Sequence, residues 1–293
     1  MKRKIYYILE IFLFVPVFLS GAFLIRARTK NQSEKYELAK DIQNLEVNQK
    51  TLGKKTLTLC SWNIWRNYNS HEIKNSLVNI SNVYSPDVFL FQESPVYKDK
   101  SFIGQSFFKN KNAYYAPLHR VYEQGQYYNY LHTGQATVST YGFFKKYVYA
   151  LPMISYLFSM LSRGKFKLIR ISLYNQLLTT DKKKIGIYNV HLENMTRPKG
   201  RLVQIEYLLK KIAENDDDVV IVGGDFNTFM PKMSEPIFRL LKRSGFIHVT
   251  QKDHLPRLDH FFVKGAESIF GKRIAPDEAT GSDHQPIVAK IRF

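Results

Sequence analysis

The chain of 293 residues holds a single cysteine, Cys60, so no disulfide can form within it. Acidic side chains are in short supply: 25 Asp and Glu stand against 43 Lys and Arg, leaving a formal charge of +18. Such a surplus attracts phosphate-rich partners, whether nucleic acid or an anionic bilayer, and does not tell the two apart. The sequence has no internal repeat, and Gly223-Gly224 is too little to make a phosphate-cradling loop. It has no His-x-x-x-His pair for zinc and no Gly-x-Ser-x-Gly elbow for a nucleophilic serine. What is abundant is ordinary: 44% hydrophobic and 23% charged residues exclude a disordered or fibrous chain. The length suits one large domain or two ordinary ones.

The N-terminus departs from this picture. After Met-Lys-Arg-Lys, an apolar run extends from Ile5 to Ile25, interrupted by Glu10 and Pro16. About 20 such residues cross a bilayer. Uncleaved, the run is a single-pass anchor. Ser20-Gly21-Ala22 has the small residues of a signal-peptide cleavage site and would release an exported protein; a buried helix is the third reading. Lys2, Arg3 and Lys4 favour a cytoplasmic start and a catalytic part outside the cytoplasm, although Arg26, Arg28, Lys30 and Lys35 follow the run closely. Residues 26–55 are expected to be a polar linker with a short helix, since Leu38, Ile42 and Leu45 recur at helical spacing. Residues 1–60 carry +6 of the net charge, so the remainder holds +12 and is basic in its own right.

From Thr56 onward strand-like and helix-like segments alternate. Strands are expected at 56–61, 87–92, 184–192, 218–223, 258–263 and 287–291, and helices at 72–84, 201–214 and 235–244. Such a mixture predicts a layered α/β domain over 56–293. Tyr114–Tyr130 is rich in tyrosine and reads as strand and loop. Tyr147–Leu161 is apolar, contains Pro152 and is short for a membrane span, which points to a core or surface-lying helix. Asp216-Asp217-Asp218 reads as a solvated turn.

The informative polar residues gather at the ends of the expected strands: Ser61-Trp62-Asn63, Gln92-Glu93-Ser94, Asn189 to Asn194, Gly224-Asp225-Phe226-Asn227, Asp259-His260 and Ser282-Asp283-His284. Sites in layered α/β folds form where strands give way to loops. Sorted by chemistry, Asn63, Glu93, Asp225, Asn227 and Asp283 are hard oxygen ligands, His191 and His284 are imidazoles, and Asp259 can orient one of them. An oxygen-rich set suits Mg²⁺ or Mn²⁺ rather than zinc. A divalent ion, a histidine base and an acid together suit the attack of water on a phosphate ester. Each piece has a plainer reading as a cap, a loop pair or a core histidine; the order of the pieces along the chain is what carries weight.

That order resembles the endonuclease/exonuclease/phosphatase superfamily, over about residues 56–293. The motifs are Gly-Asp-Phe-Asn (224–227), Ser-Asp-His (282–284), Ser-Trp-Asn (61–63) and Gln-Glu (92–93). Thr133–Ser139 is similar to the family's central strand, which more often has Asn where Gln135 stands and Arg where Thr140 stands. The resemblance implies a four-layered sandwich of two mixed β-sheets with helices outside. It also implies roles: Glu93 as chief Mg²⁺ ligand, helped by Asn63 and Asp283; His284 as base, oriented by Asp259; Asp225 and Asn227 positioning the nucleophile and the scissile phosphate; His191 donating to the phosphoryl oxygens. The expected activity is metal-dependent cleavage of phosphate esters by a membrane-anchored or exported phosphodiesterase or nuclease. The alternatives are a lipid phosphohydrolase of sphingomyelinase or phosphoinositide phosphatase type, and a membrane-tethered binding protein without turnover.

Overall fold

A computed structural model describes residues 43–64, 70–97, 100–101, 106–120, 132–152, 170–194, 198–249 and 258–293. In chain order the strands are β1 (Gln43–Leu45), β2 (Thr56–Asn63), β3 (Val88–Tyr97), β4 (Lys100–Ser101), β5 (Asn112–Arg120), β6 (His132–Ser139) and β7 (Lys145–Leu151). They continue with β8 (Arg170–Leu178), β9 (Lys184–His191), β10 (Val219–Asp225), β11 (Ile247–His248), β12 (Asp259–Lys264), β13 (Glu267–Arg273) and β14 (Ile287–Arg292). The helices are α1 (Ser70–Tyr84), α2 (Pro198–Ala213) and α3 (Pro231–Arg243).

The strands form two sheets. One has the order β1-β5-β6-β3-β2-β14-β13, with β4 paired to β3; the other runs β11-β12-β10-β9-β8-β7. Both are mixed. Each has one parallel pair near its middle, β2 with β3 and β9 with β10, and its remaining pairs are antiparallel.

The layering follows from the period-2 alternation of these strands. Leu57 and Leu59 of β2, Val88 and Leu90 of β3, Ile185 and Ile187 of β9, and Val219 and Ile221 of β10 share one core between the sheets. Their neighbours point the other way. Cys60, Trp62, Phe89 and Phe91 pack with Ile73, Leu77 and Ile80 of α1. Tyr188, Val190, Val220 and Val222 pack with Ile205, Leu208 and Ile212 of α2 and with Ile237 and Leu241 of α3. Those helical residues recur every three or four positions, the spacing of one buried face. Parallel pairs covered on both faces read as near-continuous apolar runs, as β10 (Val-Val-Ile-Val) does.

Two expectations are corrected. The segment 26–55 is not a linker throughout: Gln43–Leu45 pairs with β5, and buried Leu52 bridges to Thr179, just past the end of β8. The helical spacing that included Leu45 therefore ends in a strand, which an unpaired edge of β5 recruits. Tyr147–Leu151 is likewise strand, not helix, paired in register with β8. Its alternation Tyr-Val-Tyr-Ala-Leu is the period-2 signal. Residues 153–161 of that apolar stretch, the tyrosines of 121–131 and the proposed anchor or signal 1–25 lie outside the described residues. Among the described residues no helix is long and apolar enough to cross a membrane.

Candidate active site

The face that packs the two sheets together changes character towards the C-terminal ends of the parallel pairs. The same parity that places Leu57 and Leu59 inward also places Ser61 and Asn63 inward. Val88 and Leu90 lead to Gln92, Ile185 and Ile187 lead to Asn189 and His191, and Val219 and Ile221 lead to Gly223 and Asp225. Register aligns these polar ends: Asn63 lies opposite Gln92, and Asp225 lies between His191 on β9 and Asp259 on β12. The core thus turns polar at one end, and buried polar groups there bond to one another, as they must. Gln92 Nε2 donates to Asn189 Oδ1 across the sheets at 2.8 Å, and Asn189 Nδ2 donates to the carbonyls of Phe91 and Ala136. Asn63 Nδ2 donates to Asp225 Oδ2 at 3.0 Å, a second link between the sheets.

Backbone geometry aims the side chains. Glu93 has φ 53° at an irregularity in the pairing of β3 with β6, and Asn227 has φ 52°. Left-handed backbone is costly for a residue such as Glu and tolerable for Asn, and such positions concentrate at functional sites. Gly224 has φ 140°, and a Cβ there would stand 2.0 Å from the Val190 carbonyl oxygen. No other residue lets β10 lie so close to β9 and still deliver Asp225.

Successive contacts join the expected residues. Glu93 Oε1 lies 3.9 Å from His191 Nε2, and His191 Nε2 lies 3.4 Å from Asp225 Oδ2. Asp225 Oδ2 is 3.9 Å from His284 Nε2, while His284 Nδ1 meets Asp259 Oδ2 at 2.8 Å. The Asn227 backbone N–H donates to Asp225 Oδ1, and its side chain donates to the Leu192 carbonyl. Asp283 is exposed beside this group, close enough to feel the charge of Glu93. Three ligand atoms, from Asp225, Asp259 and His284, lie within 4.8 Å of one another.

The acids are crowded, and their titration shows it. Burial, and then the charge of Asp259, push the Asp225 carboxyl up to about 7. Burial alone would lower His284. The charge and hydrogen bond of Asp259, followed by the charges of Asp225 and Asp283, outweigh it and raise the imidazole to about 10. Although its side chain reaches solvent, the Asp283 carboxyl is partly desolvated by its neighbours and raised; the charge of His284 opposes this and that of Glu93 adds to it.

Several contributors were not singled out from the sequence. Buried Arg170, the first residue of β8, places Nη1 2.9 Å from His191 Nε2 and donates from Nη2 to Asn194 Oδ1 at 3.1 Å. A guanidinium only donates, so His191 accepts at Nε2 in this arrangement. Arg is rarely buried, and one opening an apolar strand (Arg-Ile-Ser-Leu) was a usable signal. Trp62 Nε1 donates to the His284 carbonyl, and Ser282 Oγ donates to the Asn63 carbonyl while accepting from the His284 N–H. These bonds fasten the loop that carries His284. Gln135 stays out of the group: it is buried and donates to the Ile171 carbonyl.

The donor set fits a hard divalent cation. Oxygen donors crowd one place: Glu93 and Asp225 both approach His191, Asp283 feels the charge of Glu93, and the Asn63 amide reaches Asp225.

A model of the endonuclease/exonuclease/phosphatase family matches residues 60–284. UPF0294 proteins of two strains of Vibrio vulnificus, CMCP6 and YJ016, are 31% and 30% identical to the chain over 133 residues. That match takes in 43% of this chain and 45% of each relative, less than half the length of either. Among solved structures, an endonuclease/exonuclease/phosphatase family protein of Leptotrichia buccalis aligns with TM-score 0.60 and 16% identity, over 81% of this chain and 100% of that one. The catalytic domain of human Nocturnin, solved with a bound sulfate anion, aligns with TM-score 0.63 and 16% identity, over 86% and 96%. A mannosyl-6-phosphatase of Bacteroides thetaiotaomicron gives 0.56 and 15%, over 81% and 100%. At these identities the structures share a fold.

Proposed function

The chain belongs to the endonuclease/exonuclease/phosphatase family, whose members hydrolyse phosphoester bonds, and on that premise we propose that it is a divalent-cation-dependent phosphodiesterase. The observation that carries this reading is the convergence, at one end of the sandwich, of Asn63, Glu93, His191 and Asp225 from both parallel pairs with the Asp259–His284 pair.

Glu93, Asn63 and Asp283 would hold Mg²⁺ or Mn²⁺. When bound, the ion supplies positive charge to the phosphoryl oxygens, eases deprotonation of water and offsets the carboxylates that keep His284 protonated. His284 takes the proton of the attacking water at Nε2, because Nδ1 is engaged by Asp259, which fixes the ring and its tautomer. Asp225 and Asn227 orient the water and the phosphate. His191 was expected to donate to the phosphoryl oxygens; its site-facing Nε2 instead accepts from Arg170, and the guanidinium takes over the donor role while His191 holds it in place.

We place the domain at a membrane through residues 1–25, or outside the cell if that segment is cleaved. The positive charge of residues 61–293 suits a polyanionic substrate, either nucleic acid or a charged lipid surface. Full-length protein with Mg²⁺ is expected to hydrolyse bis(4-nitrophenyl) phosphate, and EDTA to abolish turnover; activity undiminished by EDTA refutes the reading.

A further inference from the structure

Phe229 and Met230 are 42% and 49% exposed, and they follow directly on the site loop, two and three residues beyond Asn227. Their local roles do not account for them. Met230 stands at the N-cap of α3 and makes no side-chain cap bond, where Ser, Thr, Asp or Asn would satisfy a helix N–H. Phe229 precedes the cap, where an apolar residue can staple to the fourth helical residue; that residue is Ser234, which offers no apolar partner. Sequences break local rules of this kind where function requires it. Exposed Lys232 follows, after Pro231. Ile269, another exposed apolar side chain, sits in the half of its sheet away from the catalytic end, next to Ser268, which pairs with Ile291.

The chain also enters the domain from the catalytic end. Gln43 pairs with Tyr115, which through Ala136 and Phe91 lies level with Trp62, one residue short of Asn63. Leu45 pairs with Ala113, further from the site, so β1 runs away from the catalytic end. The residues before Gln43 carry the apolar run 5–25 and the basic residues Arg26, Arg28, Lys30 and Lys35, and they join the fold on that side.

We infer that the catalytic rim seats on a lipid bilayer, with Phe229 and Met230 entering the headgroup region, so that the phosphoester brought to the site is that of a lipid headgroup. An apolar pair flanked by lysine is suited to such an interface, and the domain's positive charge draws it to anionic lipid. The substrate assignment rests on the hydrolase reading; the surface does not.

The test uses full-length Met230→Cys carrying an environment-sensitive dye, with Ile269→Cys as the control; the native Cys60 is buried. With vesicles of phosphatidylcholine and phosphatidylglycerol, emission from position 230 is expected to rise about twofold or more while position 269 stays unchanged. Equal responses at both positions, no response at 230, or the same response to plasmid DNA without lipid overturns the inference. In a Phe229→Ser/Met230→Ser variant, the ratio of turnover on vesicle phosphodiesters to turnover on bis(4-nitrophenyl) phosphate is expected to fall about tenfold; an unchanged ratio overturns the substrate assignment. A response at position 230 of the labelled Met230→Cys protein, together with wild-type protein that hydrolyses neither ester, refutes the hydrolase reading and leaves the surface standing.

Discussion

Two groups of aspartates stand at opposite ends of one strand, β10, and their surroundings could hardly differ more. Before its first residue, Asp217 accepts hydrogen bonds from Tyr174 Oη at 2.9 Å, Gln176 Nε2 at 2.7 Å and Tyr188 Oη at 3.2 Å. Its carboxylate fills the space over Gly186, where a Cβ would come within 2.1 Å of it. Asp218 accepts from the Lys184 N–H, and Asp216 pairs with Lys184 and Lys145, which hold it down to about 2. At the far end Asp225 is buried beside a second acid and pushed up to about 7. The first group is satisfied by its own protein; in the second, buried acids crowd one another. Carboxylates of the first kind hold a fold together, and those of the second kind suit a cation and a reaction.

The largest effect that separates the two ends is catalytic. His284→Ala is expected to lower kcat by about 10³-fold or more while the fold is kept, as steady-state kinetics on bis(4-nitrophenyl) phosphate would show. A loss below tenfold would mean the imidazole is not the base. Glu93→Gln comes next: about a hundredfold loss of activity, partly recovered at high Mg²⁺, measured as a metal titration of rate.

At the other end the effect is on stability. Asp217→Ala strands two tyrosine hydroxyls and an amide, and is expected to destabilise the protein by about 2–4 kcal/mol in chemical denaturation, with the activity of the folded fraction kept. Loss of activity without loss of stability would erase the contrast. Asp216→Asn, in the exposed pair with Lys145 and Lys184, should leave the melting temperature unchanged, because exposed ion pairs contribute little.

The pH dependence of metal-free protein has a definite sign. Both site groups have raised folded-state values, so the folded protein binds more protons than the unfolded chain. Stability then falls as pH rises, for Asp225 between its ordinary 3.8 and about 7, and for His284 between 6.5 and about 10. Asp225→Asn should remove the first window, leaving the metal-free variant more stable than wild type at pH 8 and inactive. Denaturation curves in EDTA across this range would reveal a slope of the wrong sign at once.

Much of this was legible before any coordinates. The alternation of Val219 to Val222, the helical spacing of Ile205, Leu208 and Ile212, and the placement of polar residues just after strands all follow from periodicity that burial imposes. Asp225 and His284 were visible because Gly-Asp-Phe-Asn and Ser-Asp-His are compact motifs. Arg170 was not singled out: an Arg opening an apolar strand is a local hint, but its partner His191 is a strand away and the sequence does not name it. The Asn189–Gln92 bond across the sheets was equally hidden, since it depends on how two sheets stack rather than on either sequence alone. The solvated turn expected at 216–218 holds for Asp216 and Asp218, which are exposed, but not for half-buried Asp217. Tertiary hydroxyls that arrive from β8 and β9 decide that difference.

The most direct test of the central claim is turnover of bis(4-nitrophenyl) phosphate by full-length protein, stripped with EDTA and then titrated with Mg²⁺, beside His284→Ala. No turnover is expected when stripped, full recovery on saturation by Mg²⁺, and almost none at any Mg²⁺ concentration in the variant. Equal rates with and without the ion, or an active variant, would contradict that claim.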